Sequence, residues 1–178
     1  MIRLFTAIEL PESVRARLTL LQGGVPGARW SPIENLHLTL RFIGEVNEAT
    51  ANDIDDMLSA VQSAAFDLRL KGAGEFGGRD PHALWIGVVP NEALMRLAAK
   101  IESALQRMGL EAETRKYTPH VTIARLRDAP TVKVREFLSA HALFDSGAFP
   151  ARRFALYSSH PSSNGSLYRV ERTYGLDA

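Results

Sequence analysis

The tetrapeptide His-x-Thr-x, with apolar residues at both x positions, occurs twice in this chain, as His37-Leu38-Thr39-Leu40 and His120-Val121-Thr122-Ile123. One copy lies in each half of the 178 residues. The alternation has the period of a β-strand, so in each copy His and Thr share one face while the apolar pair enters a core. With nine Thr in the chain, any His has roughly a 1-in-20 chance of Thr two places on, and two such hits arise by accident in roughly 1 in 40 chains of this composition. The duplication therefore constrains the fold. Two strands, each presenting an imidazole and a hydroxyl, are what a fold needs to aim two acid–base groups at one substrate.

The length allows one domain of two small lobes or at most two compact units, and a single two-lobed domain spanning 1–178 is expected. There is no Cys, which excludes a disulfide framework, a thiolate metal site and a cysteine nucleophile together. The first strand-like segment, Ile2 to Leu10, carries Arg3 and Glu9 and runs into Pro11, so it reads neither as a signal peptide nor as a membrane span. A cytoplasmic location is expected. Net charge is only +1, so the whole chain is not a basic glove for nucleic acid. The basic residues are 17 Arg against 4 Lys, a ratio that codon bias in a GC-rich genome explains. Local clustering says more: Arg115, Lys116, Arg125 and Arg127 bracket the second motif.

Along the chain, strands are expected at Ile2 to Glu9, Arg29-Trp30, Leu36 to Ile43, Phe66 to Leu70, Ala83 to Val89, Pro119 to Leu126, Phe154 to Ser159 and Leu167 to Arg172. Helices are expected at Glu12 to Gln22, Asn47 to Ser63, Pro90 to Met108 and Val132 to Leu143. Gly72, Gly74, Gly77 and Gly78 mark a loop or a bulged hairpin. The mixed order argues against a doubly wound parallel sheet. Strand, helix and motif strand recur in both halves, which predicts an α+β, two-lobed pseudo-twofold fold. Its antiparallel or mixed sheets would line a central cleft, with helices outside.

Two imidazoles suit displacement at phosphorus. One as general base activates water, and the other, protonated, serves as general acid to the departing oxygen; a pKa of about 6.5 keeps both forms accessible. The Thr hydroxyls can donate to the non-bridging oxygens where charge accumulates. The scheme needs no metal and no cofactor. No His-Glu-x-x-His or similar spacing suggests zinc, and none of His82, His141 and His160 has Thr two residues later; these three are read as ordinary structural histidines.

The extended motifs carry a resemblance. Asn35-Leu36-His37-Leu38-Thr39-Leu40-Arg41-Phe42-Ile43-Gly44-Glu45-Val46 resembles the first signature of the two-histidine phosphoesterases, and Tyr117-Thr118-Pro119-His120-Val121-Thr122-Ile123-Ala124-Arg125 the second. The likeness is strongest to the bacterial and archaeal branch named 2′-5′ RNA ligase or RNA 2′,3′-cyclic phosphodiesterase. The opening Arg3 to Ile8, Trp30, and Ser158-Ser159 followed by Gly165 and Tyr168 fit it too. The resemblance implies hydrolysis of a 2′,3′-cyclic phosphate on RNA ends or nucleotides, leaving a 2′-phosphate, with reverse 2′-5′ ligation as a side activity. It implies His37 as proton donor to the leaving 3′ oxygen and His120 as base toward water. Thr39 and Thr122 would hold phosphoryl oxygens, and Arg125 would contact the phosphate. Neither a membrane nor a metal is an expected partner, and a monomer is expected. The rival is an RNA-end or nucleotide-binding module without turnover, against which two intact motifs count.

Three phase arguments follow from a regular strand. Arg125, at an odd offset from His120, would face away from it, whereas Arg41 would share the His37 face. Phe42, in phase with Leu38 and Leu40, would lie in the core. Phe5, Tyr117 and Tyr168 remain candidates to stack a terminal base.

Overall fold

The computed structural model describes residues 1–177. Nine strands and four helices follow in the order β1 (Ile2–Glu9), α1 (Glu12–Leu20), β2 (Ala28–Trp30), a 3₁₀ turn (Ile33–Asn35), β3 (His37–Val46), α2 (Glu48–Ser59), β4 (Phe66–Phe76), β5 (Ala83–Val88), α3 (Glu92–Arg107), β6 (His120–Leu126), α4 (Thr131–Ala140), β7 (Asp145–Ala151), β8 (Arg153–Ser162) and β9 (Gly165–Gly175). α2 and α3 begin one residue after asparagines whose side-chain oxygens accept from Thr50 N at 2.8 Å and Leu94 N at 3.0 Å, the usual satisfaction of orphan N–H groups at a helix start. α3 turns its apolar stripe inward through Leu94, Leu97, Ile101 and Leu105, all fully buried.

The strands form two sheets, ordered β3-β1-β8-β9 and β2-β6-β5-β4-β7, and every pairing between named strands is antiparallel. This is the α+β architecture with the predicted internal symmetry. β1-α1-β3 and β5-α3-β6 each run strand, helix, motif strand, with the motif strand pairing antiparallel to the first. Four strands of one sheet thus match four of the other, and β2 is the addition. One apolar cluster joins both sheets to all four helices. A smaller one, Phe5, Ala7, Ala155 and Tyr157, covers the other face of the first sheet. β1, central in that sheet, is therefore buried on both faces, as its near-continuous apolar sequence requires.

Two elements depart from the sequence expectation. β7 lies where only a connection between the last expected helix and the strand at Phe154 is expected. Its sequence lacks alternation and contains Pro150, which is tolerated because β7 is an edge strand paired only to β4. β4 continues through Gly72 and Gly74 to Phe76, so the glycine run is the body of a bulged hairpin with β5.

Gly74 has a packing reason. It stands opposite Trp85, and a β-carbon there would lie 2.2 Å from two atoms of the indole ring. Trp85 is hemmed in by Phe76, with ring centroids 5.5 Å apart, and has little room to withdraw. Gly74→Ala is therefore expected to lower stability by about 1–3 kcal/mol through overpacking. Urea unfolding followed by tryptophan fluorescence measures this, and an unchanged midpoint would show that the indole moves aside.

Candidate active site

The site is built by an irregularity that both motif strands share. In the β1–β3 ladder Ala7 pairs with Thr39 and Thr6 with Arg41, so Leu40 is an extra residue; in the β5–β6 ladder Trp85 pairs with Thr122 and Leu84 with Ala124, so Ile123 is extra. Each bulge falls three places after the histidine and reverses the phase beyond it. The register identifies the faces. His37, Thr39 and Phe42 pair with Glu9, Ala7 and Phe5, alternate residues of β1 that point one way. His120, Thr122 and Arg125 pair with Gly87, Trp85 and Ala83, alternate residues of β5.

This overturns all three phase arguments. Arg125 shares the face of His120 and Thr122. Phe42 is not core: it is 39 % exposed, with the Arg3 guanidinium 5.1 Å above its ring. Arg41 pairs with Thr6 on the opposite face and forms an ion pair with Glu102 of α3. Its Nη2 also donates to the Glu111 carbonyl at 2.7 Å.

β3 and β6 come side by side. Tyr117, just before β6, donates its hydroxyl to the Thr39 carbonyl at 2.8 Å, and Ser31 N donates to the Ile123 carbonyl at 2.9 Å. Each histidine is fixed in the same way. His37 Nδ1 lies 2.7 Å from the Asn35 carbonyl, and His120 Nδ1 lies 2.6 Å from the Thr118 carbonyl. A carbonyl only accepts, so Nδ1 carries the proton and donates it, leaving Nε2 to take or give a proton in the cleft. His37 Nε2 accepts from the Thr39 hydroxyl at 2.9 Å. Among the described residues His120 Nε2 has no such partner, and His120 and Thr39 line the same cavity.

Aromatic walls stand behind both imidazoles. Phe5, Tyr168 and Tyr157 surround His37 at centroid distances of 4.9, 5.3 and 6.0 Å, while Phe76 and Trp85 flank His120 at 4.8 and 6.2 Å. Burial strips water from the charged forms and lowers both pKa values. For His37 the result is about 4: desolvation outweighs the opposing Asn35 carbonyl, and a charge on His120 lowers the value further. His120 is lowered by desolvation, opposed by the Thr118 carbonyl and reinforced by Arg125. The influence of His120 on His37, and of Arg125 on His120, agrees with β3 and β6 lying side by side.

A cavity of about 750 Å³ opens beside the pair, lined by Thr39, Phe42, Phe76, His82, Tyr117 and His120 among others, with α3 contributing one wall. The Arg115–Glu113 ion pair lies on its rim. Of the other histidines, His82 stacks near Phe76, His141 packs on Phe137 at 4.5 Å and His160 Nε2 bonds the Ser158 hydroxyl at 2.8 Å. Sequence reasoning missed the carbonyls of Asn35 and Thr118, because carbonyl chemistry leaves no mark on residue type. Their identical place, two residues before each histidine, is visible only once the strands are aligned. It also missed Phe76, Trp85 and Tyr157 as walls of the site.

The chain has many relatives. A profile of the 2′-5′ RNA ligase superfamily matches residues 10–162. The RNA 2′,3′-cyclic phosphodiesterase of Methanocaldococcus jannaschii is 31 % identical over 172 residues, covering 94 % of this chain and 97 % of that one. Its Thermotoga maritima namesake is 32 % identical over 94 % of this chain and 92 % of its own. Among solved structures, E. coli LigT complexed with 3′-AMP superposes with a TM-score of 0.79 at 27 % identity, over 98 % of each chain. By sequence and by fold, this chain belongs to the 2′-5′ RNA ligase superfamily.

Proposed function

We propose that this chain is an RNA 2′,3′-cyclic phosphodiesterase that opens the cyclic phosphate at an RNA end or on a nucleotide to a 2′-phosphate, using His37 and His120 as acid and base. The observation that carries the reading is the matched tautomer lock, Nδ1–H to the carbonyl two residues upstream in both copies, which commits each Nε2 to proton transfer. The relatives named RNA 2′,3′-cyclic phosphodiesterase and the LigT complex with 3′-AMP support the substrate class. The same reading makes the chain one two-lobed unit, monomeric and cytoplasmic. No helix of the described residues is long and apolar enough to cross a membrane.

In this scheme His120 takes a proton from water as it attacks phosphorus, and His37 gives a proton to the departing 3′ oxygen. The depressed pKa of His37 makes its imidazolium a strong donor, suited to a poor alkoxide leaving group. Thr39 and Thr122 donate to the non-bridging oxygens, and Arg125 faces the phosphate from the His120 side. A 5′-hydroxyl of a second strand attacking in place of water would open the same cyclic phosphate to a 2′-5′ diester, a side reaction disfavoured by the concentration of water. The route uses no metal, and among the described residues no three His, Asp or Glu side chains gather as ligands.

Replacing either histidine by alanine is expected to lower kcat by ~10²–10⁴, with the double variant losing little more, because the two act as one unit. Retention of more than about a tenth of the rate by either single variant contradicts paired acid–base catalysis. A 3′-thio substrate, whose thiolate needs no proton to leave, assigns the roles. It should rescue His37→Ala and not His120→Ala. Activity on a 2′,3′-cyclic nucleotide should survive EDTA, and a loss restored by added zinc or manganese would reject the metal-free route.

The lowered pKa values fix the pH dependence. Both imidazoles of the free enzyme are neutral near pH 7, since one titrates near 4 and the other below its usual 6.5. The active form carries one proton on the coupled pair, with the productive His37-protonated arrangement as its minor tautomer, so kcat/KM should rise as pH falls from neutrality. It should peak between the two values and fall again toward pH 4. Bound phosphate raises both values, so kcat should peak at higher pH than kcat/KM. A kcat/KM maximum above pH 7 would contradict the assignment. A binding module would show no turnover at any pH.

A further inference from the structure

Arg29 and Arg125 stand directly opposite each other in the antiparallel β2–β6 ladder. Side chains so paired share one face with Cβ atoms about 4.5–5.5 Å apart, where like charges destabilise a sheet. Both residues are exposed, and among the described residues neither forms an ion pair. Because Arg125 shares the face of His120 and Thr122, its cross-strand partner Arg29 is on that face too.

Arg29 also reaches across to a neighbouring hairpin. Its guanidinium lies over Gly165 at the tip of the β8–β9 hairpin, where a β-carbon would meet Cζ, Nε and Nη1 at 3.7, 3.8 and 3.9 Å. The tip is tied to the catalytic region through Asn35, whose Nδ2 donates to the Ser166 carbonyl at 2.8 Å while its own carbonyl holds His37. β2 lies on the side of β6 away from β5. Arg29 therefore sits one strand spacing, about 4.8 Å, further out than Arg125 along the face that carries the reacting groups. Two opposed, unneutralised guanidinium forks on one face are matched to a second phosphate beside the reacting one.

We propose that Arg29 binds the phosphate on the 5′ side of the terminal nucleotide, so that the chain prefers an RNA end to a free 2′,3′-cyclic nucleoside phosphate. This rests on the phosphodiesterase reading and names the substrate within it. A nucleoside cyclic phosphate with a 5′-hydroxyl has nothing to place against Arg29. A dinucleotide ending in a cyclic phosphate supplies a diester there, and so does any longer RNA. With a net charge of only +1, the preference comes from this local pair and not from a general basic surface.

The test compares kcat/KM for three substrates, a 5′-hydroxyl cyclic mononucleotide, its 5′-phosphorylated form and a cyclic-ended dinucleotide, in the wild type, Arg29→Ala and Arg29→Lys. The wild type should favour both substrates with the extra phosphate by roughly 10–100-fold, the span expected of a charge-assisted hydrogen bond. Arg29→Ala should bring that ratio toward one, Arg29→Lys should restore part of it, and the salt dependence for the dinucleotide should weaken by about 0.7 in log–log slope. Melting temperature should hold or rise in Arg29→Ala, since a repulsive cross-strand pair is relieved. A wild-type ratio near one, or an Arg29→Ala variant that loses all three substrates in equal proportion, overturns the proposal. If the wild type turns over none of them, the phosphodiesterase reading has failed. Equilibrium binding of the same three molecules then decides the Arg29 question by the same ratio.

Discussion

One bulge, three places after the histidine in each motif strand, governs what the cleft contains. Without the bulges at Leu40 and Ile123, the strands would present His and Thr to the cleft and then bury whatever came five residues after the histidine. With them, Phe42 and Arg125 return to the working face, and Arg41 leaves it to pair with Glu102. A bulge adds local twist as well as a phase change. It is thus a single backbone feature that sets both the composition of the site and the reach of its long side chains. That it recurs three places after both histidines is the strongest structural sign that the two halves are versions of one unit.

The second constraint is electrostatic. Two imidazoles placed side by side and backed by Phe5, Tyr157 and Tyr168 on one side and Phe76 and Trp85 on the other cannot both hold a proton cheaply. The backbone carbonyls of Asn35 and Thr118 partly offset this by favouring the protonated forms. The carbonyls also do something a side chain would do less well. They cannot titrate, so they hold the ring orientation at every pH, and the tautomer whenever the ring is neutral.

Much of this was legible in the sequence. The duplicated tetrapeptide located both motif strands, the apolar periods located four helices, and the recurrence of strand, helix and motif strand implied the symmetric two-sheet arrangement found. What was not legible has physical causes. Register within a ladder depends on the partner strand, so neither bulge could be read from β3 or β6 alone. β7 was hidden because an edge strand with one partner needs no alternation and tolerates Pro150. The aromatic walls come from β1, β4, β5, β8 and β9, elements far apart in the chain, and Phe5 or Trp85 looks like any core residue until the sheets are assembled.

In the proposed reaction one imidazole takes a proton while the other gives one, so a symmetric scaffold has to make its two halves unlike. The repeats do so at the position five residues beyond each histidine. There β3 offers Phe42 and β6 offers Arg125, in equivalent register and on equivalent faces. Burial is the largest influence on both imidazoles, but only His120 has a cation, Arg125, lowering its pKa further and giving that side an anion-seeking character. Arg29 extends the cationic side outward, and the cavity lined by Phe42, Phe76 and Tyr117 supplies an apolar wall. The identical motifs present two imidazoles held in the same tautomer, and the differing residues just beyond them give the cleft a direction.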